Sequence, residues 1–234
     1  MSTAEYIVYV VDDDPRVREA LEDLLAACGI PSIGFGSAAG FIAHEKPDRP
    51  ACLILDVELP DINGLDLQRQ LAGTRHPPIV FITGHGNIPS TVQAMKAGAV
   101  DFLPKPVGQQ QLLAAIDTAV ERDRHKRAVE QELNTLRSRY AVLTPRERQL
   151  LPLVVRGVLN KQAAANLGIS EVTVQIHRGN IMRKMIARSL SELVRMSLKL
   201  GIATDEGTCI PPGAPGSAGT STGPKRDARN GPAS

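Results

Sequence analysis

Five short, predominantly apolar runs, three of them continuous, each followed by residues at helical spacing, constrain the first half of this chain more than any other feature. The runs are Tyr6–Val11 (YIVYVV), Ser32–Phe35, Ala51–Leu55 (ACLIL), Ile79–Thr83 (IVFIT) and Val100–Leu103. A strand buried on one face alternates apolar with polar residues, whereas an unbroken run is buried on both. Between the runs, Pro15–Cys28 opens on proline and carries Val17, Leu21, Leu24 and Leu25 at helical spacing. Ser37 is placed to cap a helix through Ala43, and Gly64–Leu71, Ile88–Ala97 and a stretch from about Gly108 also read as helix. This alternation predicts a doubly wound, five-stranded parallel α/β sheet. Ligands of such sheets sit at the carboxyl ends of the strands, where strand order reverses.

The chain has 234 residues, enough for a second, smaller domain. Residues 109–140 hold neither Pro nor Gly, and Val129, Leu133, Leu136, Tyr140 and Leu143 repeat in steps of 4, 3, 4 and 3. That is a heptad seam about two heptads long, which suits a helical linker, part of a dimer stalk or a solvated spacer. Residues 144–202 are helical in pattern, with breaks at Gly157 and Gly168–Ser170. From Thr204 the composition turns to Gly, Pro, Ser and Thr and predicts a disordered tail. The expected division is therefore 5–121, a helical linker over 122–140, an all-helical domain over 141–203, and a tail over 204–234.

Charge follows the same division. Residues 1–120 carry a net −7, residues 121–202 a net +9 and the remainder zero. An acidic half joined to a basic half points to two different partners, one of them nucleic acid. No apolar run approaches the ~20 residues of a bilayer span, and the N-terminus lacks the basic region of a signal peptide. The expectation is a cytoplasmic protein with no membrane partner. Cys28, Cys52 and Cys209 lie too far apart for a disulfide framework or a zinc finger. With no tryptophan and 3% aromatics, stacking on single-stranded nucleic acid or sugars is disfavoured.

The strand ends collect particular chemistry. Asp12, Asp13 and Asp14 close the first strand, Asp56 the third and Thr83 the fourth, and Lys105 follows the fifth. Singly, an aspartate after a strand is an ordinary helix cap and a lysine an ordinary solvated charge. Together they converge at one edge of the sheet. Two carboxylates ~5 Å apart repel by roughly 3 kcal/mol at an effective dielectric of 20, so the cluster calls for a divalent cation or for Lys105. Oxygen-only ligands with room for water and phosphate oxygens favour magnesium. A carboxylate beside magnesium and lysine is a fair nucleophile toward a phosphoryl group, and Thr83 is placed to hydrogen-bond the product.

VDDDP, LILDVELPDINGLDL, FITGHGNIP, AMKAGAVDFLPKP and LTPRERQLL…NKQAAANLGISEVTVQIHRGNIMRKM together resemble a two-component response regulator of the NarL/FixJ type, closest to the FixJ branch, over about residues 5–202. The resemblance implies a receiver over 5–121 and a LuxR-type helix-turn-helix domain over 141–203. It implies that Asp56 accepts phosphate from a sensor histidine kinase, with Asp13 and Asp56 as direct magnesium ligands beside the backbone carbonyl of Glu58. Asp12 would act mostly through water, and Asp14 as a helix N-terminal charge. Thr83 and Phe102 match the family's switch pair, and Lys105–Pro106 matches a lysine–proline step that is usually cis. Asn87 stands where close relatives often have Asp, outside the phosphorylation pocket.

In the basic half, Asn160–Leu167, Gly168–Ser170 and Glu171–Met185 read as helix, tight turn, helix, with Ser170 as N-cap. Val174, His177, Ile181 and Met185 form one stripe, expected inward, with His177 a structural histidine. Gln175, Ile176, Gly179 and Arg183 form another, the face a helix-turn-helix presents to the major groove of double-stranded promoter DNA. Lys161, Arg178, Arg183 and Lys184 are expected phosphate contacts, and Thr173 and Asn180 complete the expected DNA-binding set. Gln175 stands where many relatives have lysine, and Gly179 where some do, which bears on the target sequence. The whole describes a non-enzymatic transcriptional regulator that dimerises on phosphorylation, with RNA polymerase a further partner. The competing reading is an enzyme: Asp12-Asp13-Asp14 also resembles the opening of a magnesium-dependent aspartyl-phosphate phosphatase with Asp12 as nucleophile. That class needs a later acidic pair and a cap domain, and it leaves the basic half unexplained.

Overall fold

A computed structural model describes residues 5–84 and 88–202; Asn87 and the expected tail lie outside the described residues. The described chain falls into two compact units that divide between Glu132 and Leu133.

In the first unit the strands are β1 (Ile7–Val11), β2 (Ser32–Phe35), β3 (Ala51–Asp56), β4 (Ile79–Thr83) and β5 (Asp101–Pro104). All pair in parallel, in the order β2-β1-β3-β4-β5. Successive side chains leave a strand on opposite faces, so β1, β3 and β4 each feed two cores at once, whereas the edge strand β2 is only half-buried and packs Ile33 and Phe35 on one side. Tyr9, Val11, Leu53, Leu55 and Phe81 pack on one face, under α2 (Ala38–Ala43), α3 (Gly64–Leu71) and α4 (Ile88–Lys96). Val8, Val10, Cys52, Ile54, Val80 and Ile82 pack on the other, under α1 (Pro15–Ala27) and α5 (Gln109–Ala141). Because β1 lies between β2 and β3, the order reverses at the β1/β3 boundary. The ends of those two strands therefore flank the crevice where such sheets bind ligands.

Residues 122–140, expected as a linker, are not a free spacer. The N-terminal part of α5 is tied to the first unit: Asp123, 3% exposed, accepts from the Ala51 amide (2.9 Å) and from Arg127 Nε (2.6 Å). Its last turns belong to the second core, where Leu136 and Leu143 are buried and Leu133 and Tyr140 pack against them. Of the apparent heptad seam, Leu133, Leu136, Tyr140 and Leu143 pack within the second unit, and Val129 is half exposed.

The second unit adds α6 (Pro145–Val155), α7 (Asn160–Leu167), α8 (Glu171–Met185) and α9 (Leu190–Lys199). Its helix starts are encoded locally. Thr144 and Glu147 form a reciprocal capping box, and Ser170 and Ser189 accept from the amides of Thr173 and Glu192. Gly168 takes the left-handed conformation (φ 65°) that ends α7 before the turn into α8. Glu147 also receives Lys184 Nζ from α8 at 2.7 Å, joining α6 to α8. Among the described residues no helix is long and apolar enough to cross a membrane.

Glu147 is 2% exposed. Burial pushes its carboxyl up, but the Lys184 ammonium and the Thr144 hydrogen bonds outweigh it and hold the pKa below the usual value. A depressed carboxyl pKa gives stability that is present above the unfolded-state value, near 4.5, and is lost as pH falls through the folded-state value. Lys184→Met should therefore cost the second unit about 1–3 kcal/mol at neutral pH by leaving a buried carboxylate without its partner. The gap from wild type should close at acid pH, where Glu147 is protonated in both. Urea unfolding followed by circular dichroism at both pH values measures this; a gap independent of pH would contradict it.

Candidate phosphoryl-transfer pocket and helix-turn-helix

The chain leaves β1 into Asp12 and Asp13, and β3 ends on Asp56 itself, so the strand boundary carries three carboxylates into one crevice. One oxygen of each lies within 4.8 Å of the others. Asp12 is fully buried and Asp56 is 4% exposed, whereas Asp13 faces solvent. Lys105, directly after β5, brings Nζ to 2.7 Å from Asp12 Oδ2 and 2.6 Å from Asp56 Oδ2. The backbone supplies the remaining order: the Asp14 amide donates to Asp12 Oδ1 (3.0 Å) and the Glu58 amide to Asp56 Oδ1 (3.2 Å). The Lys105–Pro106 peptide is cis. Burial raises the Asp12 carboxyl above its usual range, and the Asp56 charge adds to this, although the Lys105 ammonium opposes both. The same contacts hold the Lys105 ammonium above its ordinary value, against the pull of its own burial.

The pocket suits a hard divalent cation. Its donors are all oxygens. Asp12 Oδ2 is buried with the Lys105 ammonium as its partner, and exposed Asp13 leaves the cluster open to water. Asp14 turns away and caps α1, accepting from the Arg16 amide at 2.9 Å. Thr83, 1% exposed, ends β4 next to Lys105, whose amide donates to the Thr83 carbonyl at 2.7 Å. Phe102 is half-buried against Phe81, with ring centroids 5.9 Å apart.

Two residues that sequence reasoning passed over help to shape this pocket. A Cβ on Gly64, the first residue of α3, would overlap the carbonyl oxygen of Asp56, and the Gly64 amide donates to the Val57 carbonyl at 2.8 Å. Only glycine lets α3 start this close to the end of β3. The signal was there, a glycine at a helix start directly after the capping Asn63, but its reason lies eight residues back. Arg18, on α1, donates through Nη1 to the Asp12 carbonyl at 2.7 Å. Its stem and the Glu22 carboxylate lie over Gly34 of β2, where a Cβ would make both side chains shift.

In the second unit α8 turns Val174, Ile181 and Met185 into the core and leaves Gln175, Ile176, Gly179 and Arg183 exposed. His177 is part-buried, and its Nδ1 is enclosed without a hydrogen-bond partner. The expected DNA-binding residues are not equally available. Lys161 and Gln175 are exposed. Arg178 is held by Asn160 Oδ1 (3.1 Å) and Arg183 by Asn180 Oδ1 (3.1 Å). Thr173 lies within the Ser170 cap, its Oγ1 2.8 Å from Ser170 Oγ. Lys184 is already engaged: its ammonium donates to buried Glu147 Oε2 at 2.7 Å, so it has a structural role beside any contact with DNA. Gly179 has open space where a Cβ would be, so nothing within the unit requires a glycine there.

With this geometry in place, comparison with known proteins is direct. Residues 8–117 match the response regulator receiver domain family, and residues 141–197 match the luxR family of bacterial regulatory proteins. The chain is 48% identical over 205 residues to Nodulation protein W of Bradyrhizobium diazoefficiens, covering 87% of this chain and 90% of that one. It is 42% identical over 197 residues to the transcriptional regulatory protein FixJ of Azorhizobium caulinodans, covering 84% and 93%. The solved structure of response regulator StyR superimposes with a TM-score of 0.74 at 46% identity, covering 84% of this chain and all of that one. A receiver with its acidic crevice, followed by a luxR-type helix-turn-helix, makes this chain a member of the NarL/FixJ type of DNA-binding response regulators, near the FixJ branch.

Proposed function

We propose that Asp56 is the phosphoacceptor of this regulator and that the receiver, residues 5–121, takes its phosphoryl group from a sensor histidine kinase in the cytoplasm. The observation that carries this reading is the convergence of Asp12, Asp13 and Asp56 on one crevice, with Lys105 2.6 Å from Asp56. An Asp56 carboxylate oxygen forms the new bond to phosphorus as the bond from phosphorus to the kinase imidazole nitrogen breaks. Asp12, Asp13, Asp56 and the Glu58 carbonyl are the residues that would hold magnesium. When bound, that ion offsets the charge of the transferring oxygens. Lys105 supplies a further positive charge to the same oxygens. Thr83 turns its hydroxyl to the product, and Phe102 moves into the space it leaves. Asp12 and Asp56 each receive one backbone amide and face Lys105, but Asp12 is fully buried whereas Asp56 keeps slight exposure, and the basic helix-turn-helix unit has no place in a phosphatase; together these favour Asp56 over Asp12 as nucleophile and a regulator over a phosphatase.

Residues 141–203 form the DNA-binding domain in this reading, joined to the receiver by the helical connection 122–140, and phosphorylation favours a homodimer on promoter DNA that works with RNA polymerase. Driving such a switch from 1:99 to 99:1 takes ~5.5 kcal/mol of differential stabilisation, which a new dianion at a metal site is able to supply. Exposed Gln175, Ile176, Gly179 and Arg183 form the groove face, with Thr173, Arg178 and Asn180 at its edges. Lys161 lies in the first turn of α7, whose N-cap, Leu159, makes no side-chain hydrogen bond. Free amides beside a lysine suit a DNA phosphate. Gly179 costs the helix about 1 kcal/mol relative to alanine. With no neighbour in the unit requiring it, close approach of DNA is the reason left for it.

Asp56→Asn keeps the shape of the side chain and removes the nucleophile. With acetyl phosphate and magnesium, wild type should take up label and the variant none. Label on Asp12, or equal labelling of both proteins, would overturn the assignment. Gln175→Lys should change base preference at one position per half-site by ~1–3 kcal/mol, from adenine toward guanine. If the new charge meets a phosphate, the salt dependence of binding should steepen by about one unit. Selection from a randomised DNA pool followed by salt titration reads both; unchanged preference at every position would mean that Gln175 does not read a base.

A further inference from the structure

Between Asp56 and α3 runs the loop 57–63, from which, in the reading given above, Glu58 would contribute its carbonyl to the pocket. Its ends are fixed locally, by the Glu58 amide on Asp56 Oδ1, by the Gly64 amide on the Val57 carbonyl, and by Asn63 capping α3. Its middle is exposed at Pro60 and Asp61 and is held from outside. Asp61 Oδ2 accepts from the Ala39 amide at 3.0 Å and Oδ1 from the Ala38 amide at 3.4 Å. Those amides belong to the first turn of α2, whose donors have no partner within the helix. Yet α2 already has its own cap: Ser37 Oγ accepts from the Gly40 amide at 3.2 Å. Six residues of helix thus receive two caps, one from the adjoining residue and one from a loop more than twenty residues away in sequence. The Ala39 amide bond, opposed by burial and aided by Ala38, lowers the Asp61 carboxyl below its usual range, so it is ionised when it makes these contacts.

We propose that Asp61 is a positioning residue for phosphoryl transfer: by tying the 57–63 loop to the start of α2, it holds the Glu58 carbonyl where it completes the cation site of Asp12, Asp13 and Asp56. The proposal rests on the pocket reading given above. Asp61 touches no reacting atom; it acts through the loop. Charge-assisted bonds to two amides make a stiffer tie than one neutral bond, and loss of the outer partners that orient metal ligands typically weakens metal binding 10–100-fold. Asp61 therefore governs how much magnesium the reaction needs more than how fast it runs once magnesium is bound.

The test compares full-length wild type with Asp61→Ala, Asp61→Asn and Ser37→Ala. It measures the magnesium concentration for half-maximal labelling by acetyl phosphate, the rate at saturating magnesium, and Mn2+ affinity by electron paramagnetic resonance. Asp61→Ala should raise the magnesium requirement about 10-fold and weaken Mn2+ binding in parallel, with the saturated rate within about 2-fold of wild type. Asp61→Asn retains one acceptor oxygen and should fall between. Ser37→Ala removes the other cap of α2 and should leave the metal dependence unchanged. An unchanged half-point in Asp61→Ala, or an equal rise in Ser37→Ala, would overturn the proposal and reduce Asp61 to a helix cap. Failure of the wild type to take label would overturn the pocket reading itself, a different result from either.

Discussion

The ammonium of Lys105, 2.7 Å from Asp12 and 2.6 Å from Asp56, is the contact that balances the two buried carboxylates of the receiver crevice. Two carboxylates so nearly excluded from water repel one another, and neither has the solvent that would screen it. Lys105 starts from the end of β5, and β4 stands between that strand and β3. Neighbouring strands lie ~4.8 Å apart, so the Lys105 and Asp56 side chains together bridge the end of β4. The Lys105 amide on the Thr83 carbonyl holds the root of the lysine against β4. Strand order, strand ends and side-chain length thus all serve one charge balance, and the exposed Asp13 leaves a place beside it for a cation and a phosphoryl donor.

Much of this was legible in the residues. The central apolar runs read correctly as strands buried on both faces because Val8 and Tyr9, or Ile54 and Leu55, feed opposite cores, while the edge strands β2 and β5 are only partly buried. Asp12, Asp56, Thr83 and Lys105 stood out because each adjoins the end of such a run. What could not be read depends on distance in sequence. Gly64 matters because of a carbonyl eight residues earlier, Arg18 because of Gly34 on a strand it has not yet met, and Asp61 because of amides at Ala38 and Ala39. None of these leaves a periodic trace. The heptad spacing of Leu133, Leu136 and Tyr140 was legible but ambiguous, because a helix docked on its own domain shows the same stripe as one docked on a partner.

The basic unit teaches a related lesson about charge. Its positive balance drew attention to every cation near α8, but Lys184 is bound to the buried Glu147, and Arg178 and Arg183 lean on asparagines. Net charge describes the field a domain presents to DNA; it does not say which ammonium or guanidinium is free to spend on a phosphate. The proposed groove face is better defined by what is absent. Gln175 and Ile176 project without support from the core, and Gly179 offers a bare stretch of helix between them and Arg183.

The central claim, that three converging carboxylates balanced by Lys105 make a divalent-cation site in the folded receiver, is tested most directly by melting the protein in chelator and in excess magnesium. A cation that binds only the folded pocket adds about 2.7 kcal/mol at a hundred times its dissociation constant. The receiver transition should therefore rise with magnesium in wild type. It should stay fixed in Asp13→Ala, a change at an exposed side chain that leaves the core intact. A receiver whose melting temperature ignored magnesium, or rose equally in wild type and Asp13→Ala, would contradict the claim.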